Sequence, residues 1–298
     1  MLAIDKLVEE AIDFHVHAAT DPFSERRLDA IALASEAKHA RMKAIVIKCH
    51  HYSTAPLAYV ANTVISNFTL VGSLVLNNGV GGLNPEVVEV AAKGGARVVW
   101  MPTYSSVPDT QIRLGGTASM TGPMQVTSGK GISLIGKDNK LVPEMAQILE
   151  IIKDYDIVLG TGHTSRSEIY AVTDEARRMG IKVTITHPLS LSVGSPAIGS
   201  PLTIEHQKQL ISKGAYIEHC FVACMPLDDR LDPVVIVDNI KRVGAESCIL
   251  STDFGQIVNP SPPEGFRMMI ASMLKLGLSE KELEILVKVN PSKLLGLT

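Results

Sequence analysis

Two histidines one residue apart, His15 and His17, stand near the start of the chain at the end of an apolar run. If this segment is a strand, its side chains alternate between two faces, so both imidazoles point the same way. Neutral imidazoles side by side are good ligands for a divalent metal. Taken alone, the pair is more often two ordinary polar loop residues, and the rest of the chain has to decide between these interpretations.

Most of the other histidines follow apolar runs of the same kind. Of the nine histidines, only His39 and His206 fall in predicted helices. One histidine at a strand end is usually a satisfied core or loop residue, but seven in the same kind of position predict a shared site of nitrogen ligands. The carboxylate of Asp253, after the last predicted strand, can complete that site. The seven are His15, His17, His50, His51, His163, His187 and His219.

The segments that position these side chains alternate between strand-like and helix-like patterns. Val- and Ile-rich strands separated by Ala- and Leu-rich helices are typical of a parallel sheet buried on both faces. Eight strands in 298 residues favour a closed (β/α)8 TIM barrel, a single domain over residues 1–298, and no glycine-rich nucleotide motif follows the first strand. The predicted strands are 13–17, 43–49, 69–76, 96–101, 156–161, 182–186, 215–221 and 247–252.

The alternation breaks after the fourth strand. Residues 103–141 are rich in Gly, Ser, Thr and Pro, and apolar pieces flank Gly136-Lys-Asp-Asn139, which indicates a hairpin. A connection of this length in a compact domain is typically a functional lid or a disordered segment. We expect a lid-like insertion over the mouth of the barrel, the end at which such barrels build their active sites.

The composition is that of an ordinary soluble protein. The chain is 46% hydrophobic and 20% charged, and its formal net charge of -3 favours neither nucleic acid nor a membrane as partner. No apolar run reaches the roughly 18–20 residues of a membrane span, and the first residues lack a signal pattern. Four scattered cysteines predict reduced thiols in a cytoplasmic protein. A small molecule is the expected partner, and a homo-oligomer is left open.

The order of these motifs resembles the amidohydrolase superfamily of metal-dependent hydrolases. The His-x-His on the first strand, the histidines on the fifth and sixth strands and the aspartate on the eighth carry the resemblance. The ending Asn290-Pro-Ser-Lys-Leu-Leu-Gly-Leu297 is similar to that superfamily's common Asn-Pro-Ala-x-Leu-x-Gly-Leu. The resemblance implies a divalent metal, zinc first, with Mn, Fe or Ni compatible with the same ligands. Carried over by position, the implied ligands are His15, His17, His163, His187 and Asp253.

The resemblance also implies that Asp253 is the catalytic base. A metal lowers the pKa of a water it binds towards about 7, and a carboxylate touching that water can pass its proton to the leaving group. Asp253 has a plainer alternative as the cap of a following turn. The implied enzyme is a hydrolase of a C–N bond (amide or cyclic amide) or an ester in a small molecule. A metal-dependent decarboxylase and a non-catalytic, metal-stabilised binding protein stay open, and the specific substrate is not predicted.

The fourth strand departs from the pattern of two-metal members of the superfamily. They usually have a bridging carboxylated lysine or a glutamate there, whereas this chain has Trp100-Met-Pro-Thr103. We therefore expect one metal, with a second open if Lys48 is carboxylated or if Glu218 supplies the bridge. A buried ion pair between Lys48 and Glu218 is the plainer interpretation. The residues expected to face the substrate are Lys48, His50, His51, Glu218 and His219.

Overall fold

Eight parallel strands, paired in sequence order, form the centre of the molecule. The computed structural model describes residues 3–114, 131–190 and 201–297. The predicted (β/α)8 barrel is confirmed, because each strand leads through a helix to its neighbour in the sheet. The strands are β1 Ile12–His17, β2 Ala44–Lys48, β3 Thr69–Val75, β4 Ala96–Trp100, β5 Val158–Gly160, β6 Val183–Thr186, β7 Tyr216–Cys220 and β8 Cys248–Ser251.

The helices surround the strands, and among the described residues none is long and apolar enough to cross a membrane. A π-helical turn over Ile285–Val289 joins the last two helices of the chain. The helices are α1 Ala3–Val8, α2 Ala30–His39, α3 Ala55–Val64, α4 Pro85–Lys93, α5 Val107–Leu114, α6 Pro143–Asp154, α7 Arg166–Arg178, α8 Ile204–Ser212, α9 Pro233–Val243, α10 Pro262–Lys275, α11 Glu280–Glu284 and α12 Asn290–Leu295.

The insertion after β4 contains a helix that the sequence pattern did not predict, α5. Residues 115–130 of the predicted insertion lie outside the described residues. The predicted hairpin is present, since Ile135 and Leu141 pair as antiparallel neighbours. Glu168 at the start of α7 holds this hairpin in place. Its carboxylate accepts hydrogen bonds from the Leu134 N–H at 2.7 Å and the Ser133 hydroxyl at 2.9 Å, while it also caps its own helix.

The barrel closes where the residues after β8 meet β1. Val16 and Phe254 form a parallel bridge, and the Asp253 N–H donates to the His15 carbonyl at 2.7 Å. The buried carboxylate of Asp13 accepts hydrogen bonds from the Thr252 N–H at 3.0 Å and the Thr252 hydroxyl at 2.5 Å. This seam therefore depends on a side chain as well as on backbone pairing.

The interior of the barrel below its mouth is filled by apolar side chains. Trp100 is its largest buried side chain, and a Cβ at Gly160 on the adjacent strand would lie 2.2 Å from Cδ1 of that indole. Glycine at this position therefore makes room for the tryptophan. Leu294 and Leu295 of α12 close the opposite end of the barrel and belong to the same apolar cluster as Trp100.

Candidate active site

An irregularity in β1 turns its two histidines towards the barrel axis. The pairing register between β1 and β2 shifts within β1, as at a β-bulge. The consecutive residues Phe14 and His15 consequently both contact the indole of Trp100, with ring centroids 6.5 Å and 5.3 Å away. The rings of His15 and His17 are 5.6 Å apart. The predicted arrangement of this pair on one face is therefore present, just above the apolar floor.

The carboxylate of Asp253 lies at the centre of three imidazoles. Its Oδ1 is 3.2 Å from His15 Nε2 and 3.0 Å from His17 Nε2, and its Oδ2 is 3.3 Å from His187 Nε2. Asp253 and His187 both have a positive φ, 56° and 52°, which L-residues adopt uncommonly. Backbone strain of this kind is often found where a side chain must be aimed at a functional site.

His163 joins this group from the end of β5. Its ring centroid is 5.4 Å from that of His187, and its Nδ1 is 3.5 Å from Oδ2 of Asp109 on α5. A carboxylate beside one imidazole nitrogen can orient the ring and leave the other nitrogen for a ligand. Asp109 was not predicted as a site residue, because a single aspartate inside an irregular insertion gives no sequence signal.

Three further buried groups surround His15. Its Nδ1 is 3.1 Å from Glu218 Oε1 and 3.6 Å from the Cys220 sulfur, whereas its Nε2 is 3.0 Å from Lys48 Nζ. With the Lys48 amine donating to Nε2, Nδ1–H is left to donate to Glu218, and a metal held by Nε2 would use the same lone pair in place of that amine. Within the described residues Lys48 and Glu218 thus contact opposite nitrogens of one imidazole, whereas a direct ion pair between them was one alternative that the sequence left open. The Lys48 amine also lies 5.0 Å from the centroid of Trp100.

Burial determines most of the ionisation in this cluster. It lowers the pKa of His15, His17 and His187 well below the usual value, so these rings are neutral near pH 7. Burial alone would raise the pKa of Asp253, but its electrostatic interactions with His15, His187 and Lys48 outweigh this effect and lower that pKa.

The two groups that flank His15 are shifted as well. Burial raises the pKa of Glu218 to about 8, although Lys48 acts in the opposite direction. Burial also lowers the pKa of Lys48, against the attraction of Asp253 and Glu218. Burial therefore shifts both the Glu218 acid and the Lys48 amine towards their uncharged forms.

The donor atoms of this cluster fit a divalent metal. Oδ1 of Asp253 is buried, accepts no hydrogen bond among the described residues, and faces the Nε2 atoms of two neutral imidazoles. A cation between these atoms would neutralise the carboxylate and use the nitrogen lone pairs. The ligand atoms of His15, His187, Cys220 and Asp253 all lie within 4.8 Å of one another. Cys220 was predicted only as a reduced thiol, and its sulfur would favour zinc over harder metals.

The five residues predicted to face the substrate occupy different environments. Lys48 and Glu218 are buried beside His15, and His50 is buried above the cluster. The His51 side chain is 18% exposed and lies 3.9 Å from Asp21. The structure places His219 away from the other four. Glu218 and Cys220 face the cluster, so the residue between them faces the helices, where it lies beside Asn239 of α9.

Solved structures with the same fold cover nearly the whole chain. They include an amidohydrolase from Pseudomonas aeruginosa (12% identity, TM-score 0.63, 99% of this chain and 98% of that one). The probable dipeptidase PvdM from Pseudomonas aeruginosa matches at 12% identity and a TM-score of 0.65, over 98% and 96%. A probable 2-pyrone-4,6-dicarboxylic acid hydrolase from Acinetobacter baumannii matches at 11% identity and a TM-score of 0.57, over 97% of this chain and 100% of that one. The predicted resemblance to the amidohydrolase superfamily is confirmed at the level of the fold.

The sequence itself assigns the chain to a family. No curated protein matches it, but the model of one family covers residues 10–218, more than half of the chain. The matched range includes the four histidines around Asp253 and Glu218 beside them, while Asp253 itself lies beyond it. The chain belongs to the family of unknown function DUF6282.

Proposed function

We propose that this protein is a metal-dependent hydrolase that cleaves a C–N bond (amide or cyclic amide) or an ester in a small molecule. The observation that carries the proposal is the position of the Asp253 carboxylate. It is buried at the mouth of the barrel and lies 3.0–3.3 Å from the Nε2 atoms of three neutral histidines. Such a set of donors with one carboxylate is suited to hold a metal and to move a proton beside it.

His15, His17, His187 and Asp253 would hold the metal, with His163 and Cys220 at its edge. When bound, a divalent metal supplies Lewis acidity and lowers the pKa of water towards neutrality. We favour zinc because nitrogen, oxygen and sulfur donors suit it, and Mn, Fe or Ni would accept most of the same ligands. We favour one metal, because Trp100 occupies the end of β4 from which a bridging group would come.

The side chains around the metal ligands have separate tasks. Asp253, whose pKa is held below its usual value by its neighbours, accepts a proton from the attacking water at a carboxylate oxygen and passes it to the leaving group. Glu218 orients the His15 ring by accepting from Nδ1–H. The indole of Trp100 and the apolar residues below it keep water away from the lower side of the cluster.

Metal analysis combined with a substrate panel tests the proposal. The purified protein is expected to contain about one divalent metal per chain, and the double substitution His15→Ala/His187→Ala is expected to lose it. His206→Ala on α8 is the matched control and should retain the metal, because this helix lies on the outside of the barrel.

The substrate panel separates hydrolysis from its alternatives. It contains esters, linear and cyclic amides, and aromatic carboxylic acids, with release of acid, amine or CO2 as readouts. Hydrolysis by the metal-loaded protein supports the proposal. CO2 release without hydrolysis would establish a decarboxylase instead, and stoichiometric metal with no turnover of any class would indicate a binding protein.

A further inference from the structure

His50 is a buried histidine at the mouth of the barrel that is not needed to hold the metal. Only 3% of its surface is exposed, and its ring lies between two others. It stacks on His17, with centroids 4.8 Å apart and planes at 23°, and it lies 4.0 Å from the ring of Tyr104. The ring is thus fixed in orientation beside a residue that contacts Asp253 directly.

The amide of Asn77 has only one orientation that satisfies its neighbours. Its Oδ1 accepts from the backbone N–H groups of Thr103 at 2.9 Å and Ser105 at 3.1 Å. Its Nδ2 must therefore donate, and it does so to the His50 carbonyl at 3.1 Å and to the Thr103 hydroxyl at 2.7 Å. Asn77 thereby uses one lone pair of that hydroxyl oxygen.

The orientation of Asn77 determines the tautomer of His50. The buried Thr103 hydroxyl has one hydrogen to donate, and its only acceptor at hydrogen-bond distance within the described residues is His50 Nδ1, at 2.8 Å. With Nδ1 accepting, the proton of the neutral ring must be on Nε2. Nε2 itself has no hydrogen-bond partner among the described residues.

We propose that His50 is a catalytic residue that donates its Nε2–H to the carbonyl oxygen of the scissile ester or amide. This rests on the proposed hydrolase function and assigns a distinct task within it. The negative charge that develops on that oxygen meets a fixed, buried donor that needs no reorganisation. His50 transfers no proton and forms no covalent bond. Asn77 and Thr103 are positioning residues, because they act through the imidazole.

The same tautomer excludes His50 as a metal ligand. A metal would need a lone pair on Nε2, and that nitrogen carries the proton, while Nδ1 is engaged by Thr103. His50 therefore differs from His15, whose Nδ1–H points away from the cluster and whose Nε2 lone pair points into it.

Imidazole nitrogen NMR on the ¹⁵N-histidine-labelled, metal-loaded protein tests the tautomer without any substrate. The His50 signals, identified by their loss in His50→Gln, should be those of an Nε2–H ring. Thr103→Val should mix the tautomers, and Thr103→Ser should restore the original spectrum. An Nδ1–H ring, or a metal-shifted Nε2 signal, would refute the assignment.

Kinetics on the hydrolysed substrate test the catalytic role. His50→Asn, which cannot reach the position of Nε2, should lower kcat about 100- to 1000-fold with little change in KM. His50→Gln, whose amide nitrogen reaches that position, should recover part of the rate, and both should keep the metal. His39→Gln on the exposed face of α2 is the control and should change kcat less than about threefold.

The two proposals fail in distinguishable ways. Loss of metal in His50→Asn, or an unchanged kcat, would overturn the role of His50 while leaving the hydrolase intact. Absence of any hydrolysis by the unmodified protein would overturn the function and the catalytic role with it, and the NMR result would then decide the tautomer alone.

Discussion

The two ends of the barrel are built from the same eight strands but from opposite kinds of side chain. At the carboxyl end, Lys48, Glu218 and Asp253 are buried around His15, and each contacts its ring. At the amino end, the interior is apolar and α12 closes it with Leu294 and Leu295. The apolar closed end can therefore stabilise the fold, whereas the mouth holds polar groups whose burial costs free energy. Substitutions at the two ends should consequently affect different observables.

The largest expected effect is at the mouth. Asp253→Asn should lower kcat by roughly a thousandfold or more, because the amide cannot accept the proton. Most of the metal should stay bound, since three imidazoles and an amide oxygen remain. Rate assays and metal content on the same sample check this, and full activity in the variant would remove Asp253 from the mechanism.

The second largest effect is expected at the closed end of the barrel. Leu294→Ala should lower the free energy of unfolding by about 2–5 kcal/mol, because the removed side chain is fully buried and leaves a cavity. The kcat of the folded fraction should stay unchanged. Chemical denaturation measures the free energy of unfolding, and assays at denaturant concentrations below the unfolding transition measure kcat. A loss of kcat without a loss of stability would contradict the separation of the two ends. Leu297→Ala, at a partly buried neighbour, is the milder control.

The boundary between the two ends lies at the Trp100–Gly160 contact. Gly160→Ala should cost about 1–3 kcal/mol of stability, because its Cβ would overlap the indole. In a Trp100→Phe background the same substitution should cost less, since the smaller ring leaves room. A double-mutant cycle measured by denaturation gives the coupling energy, and strictly additive costs would contradict the contact.

The effect that is smallest at neutral pH concerns His219, the histidine that faces away from the mouth. Burial lowers the pKa of His219 to about 3, so its ring is neutral in the folded protein, whereas in the unfolded chain it takes up a proton below about pH 6.5. Stability should therefore fall as the pH falls from about 6.5 towards 3, by about 2 kcal/mol at pH 5.

Denaturation of His219→Gln across this pH range tests the effect. The variant should lose that part of the pH dependence, whereas His39→Gln on the exposed face of α2 should keep it. An unchanged slope in His219→Gln would assign the acid sensitivity to other groups.

The sequence predicted the barrel and much of the cluster because both depend on local patterns. Alternating Val/Ile runs and helical periodicity gave the eight strands, and the order His15, His17, His163, His187 and Asp253 followed from their places after those strands. Positions within a strand were less predictable. Alternation predicts that every second side chain of a strand faces the same way, but it does not say which set faces the site. This is why His219 was expected at the mouth and why the irregularity in β1 was not foreseen.

Contacts between distant segments had no sequence signal at all. Thr103 is 53 residues from His50, and their hydrogen bond exists only once β2 and β4 have folded into the same barrel. The proximity of Asp109 to His163 depends in the same way on where α5 packs. Such side chains look like ordinary loop residues until the chain is folded.

The seam between β1 and β8 has a consequence for how the protein matures in the cell. Residues separated by 239 positions, Asp13 and Thr252, hold the two ends of the sheet together, and Asp253 beside them completes the cluster around His15. A nascent chain on the ribosome has all four histidines of the cluster exposed long before Asp253 has been synthesised. Tight capture of metal should therefore be one of the last events in biogenesis, and a chain truncated before Asp253 should bind metal only loosely.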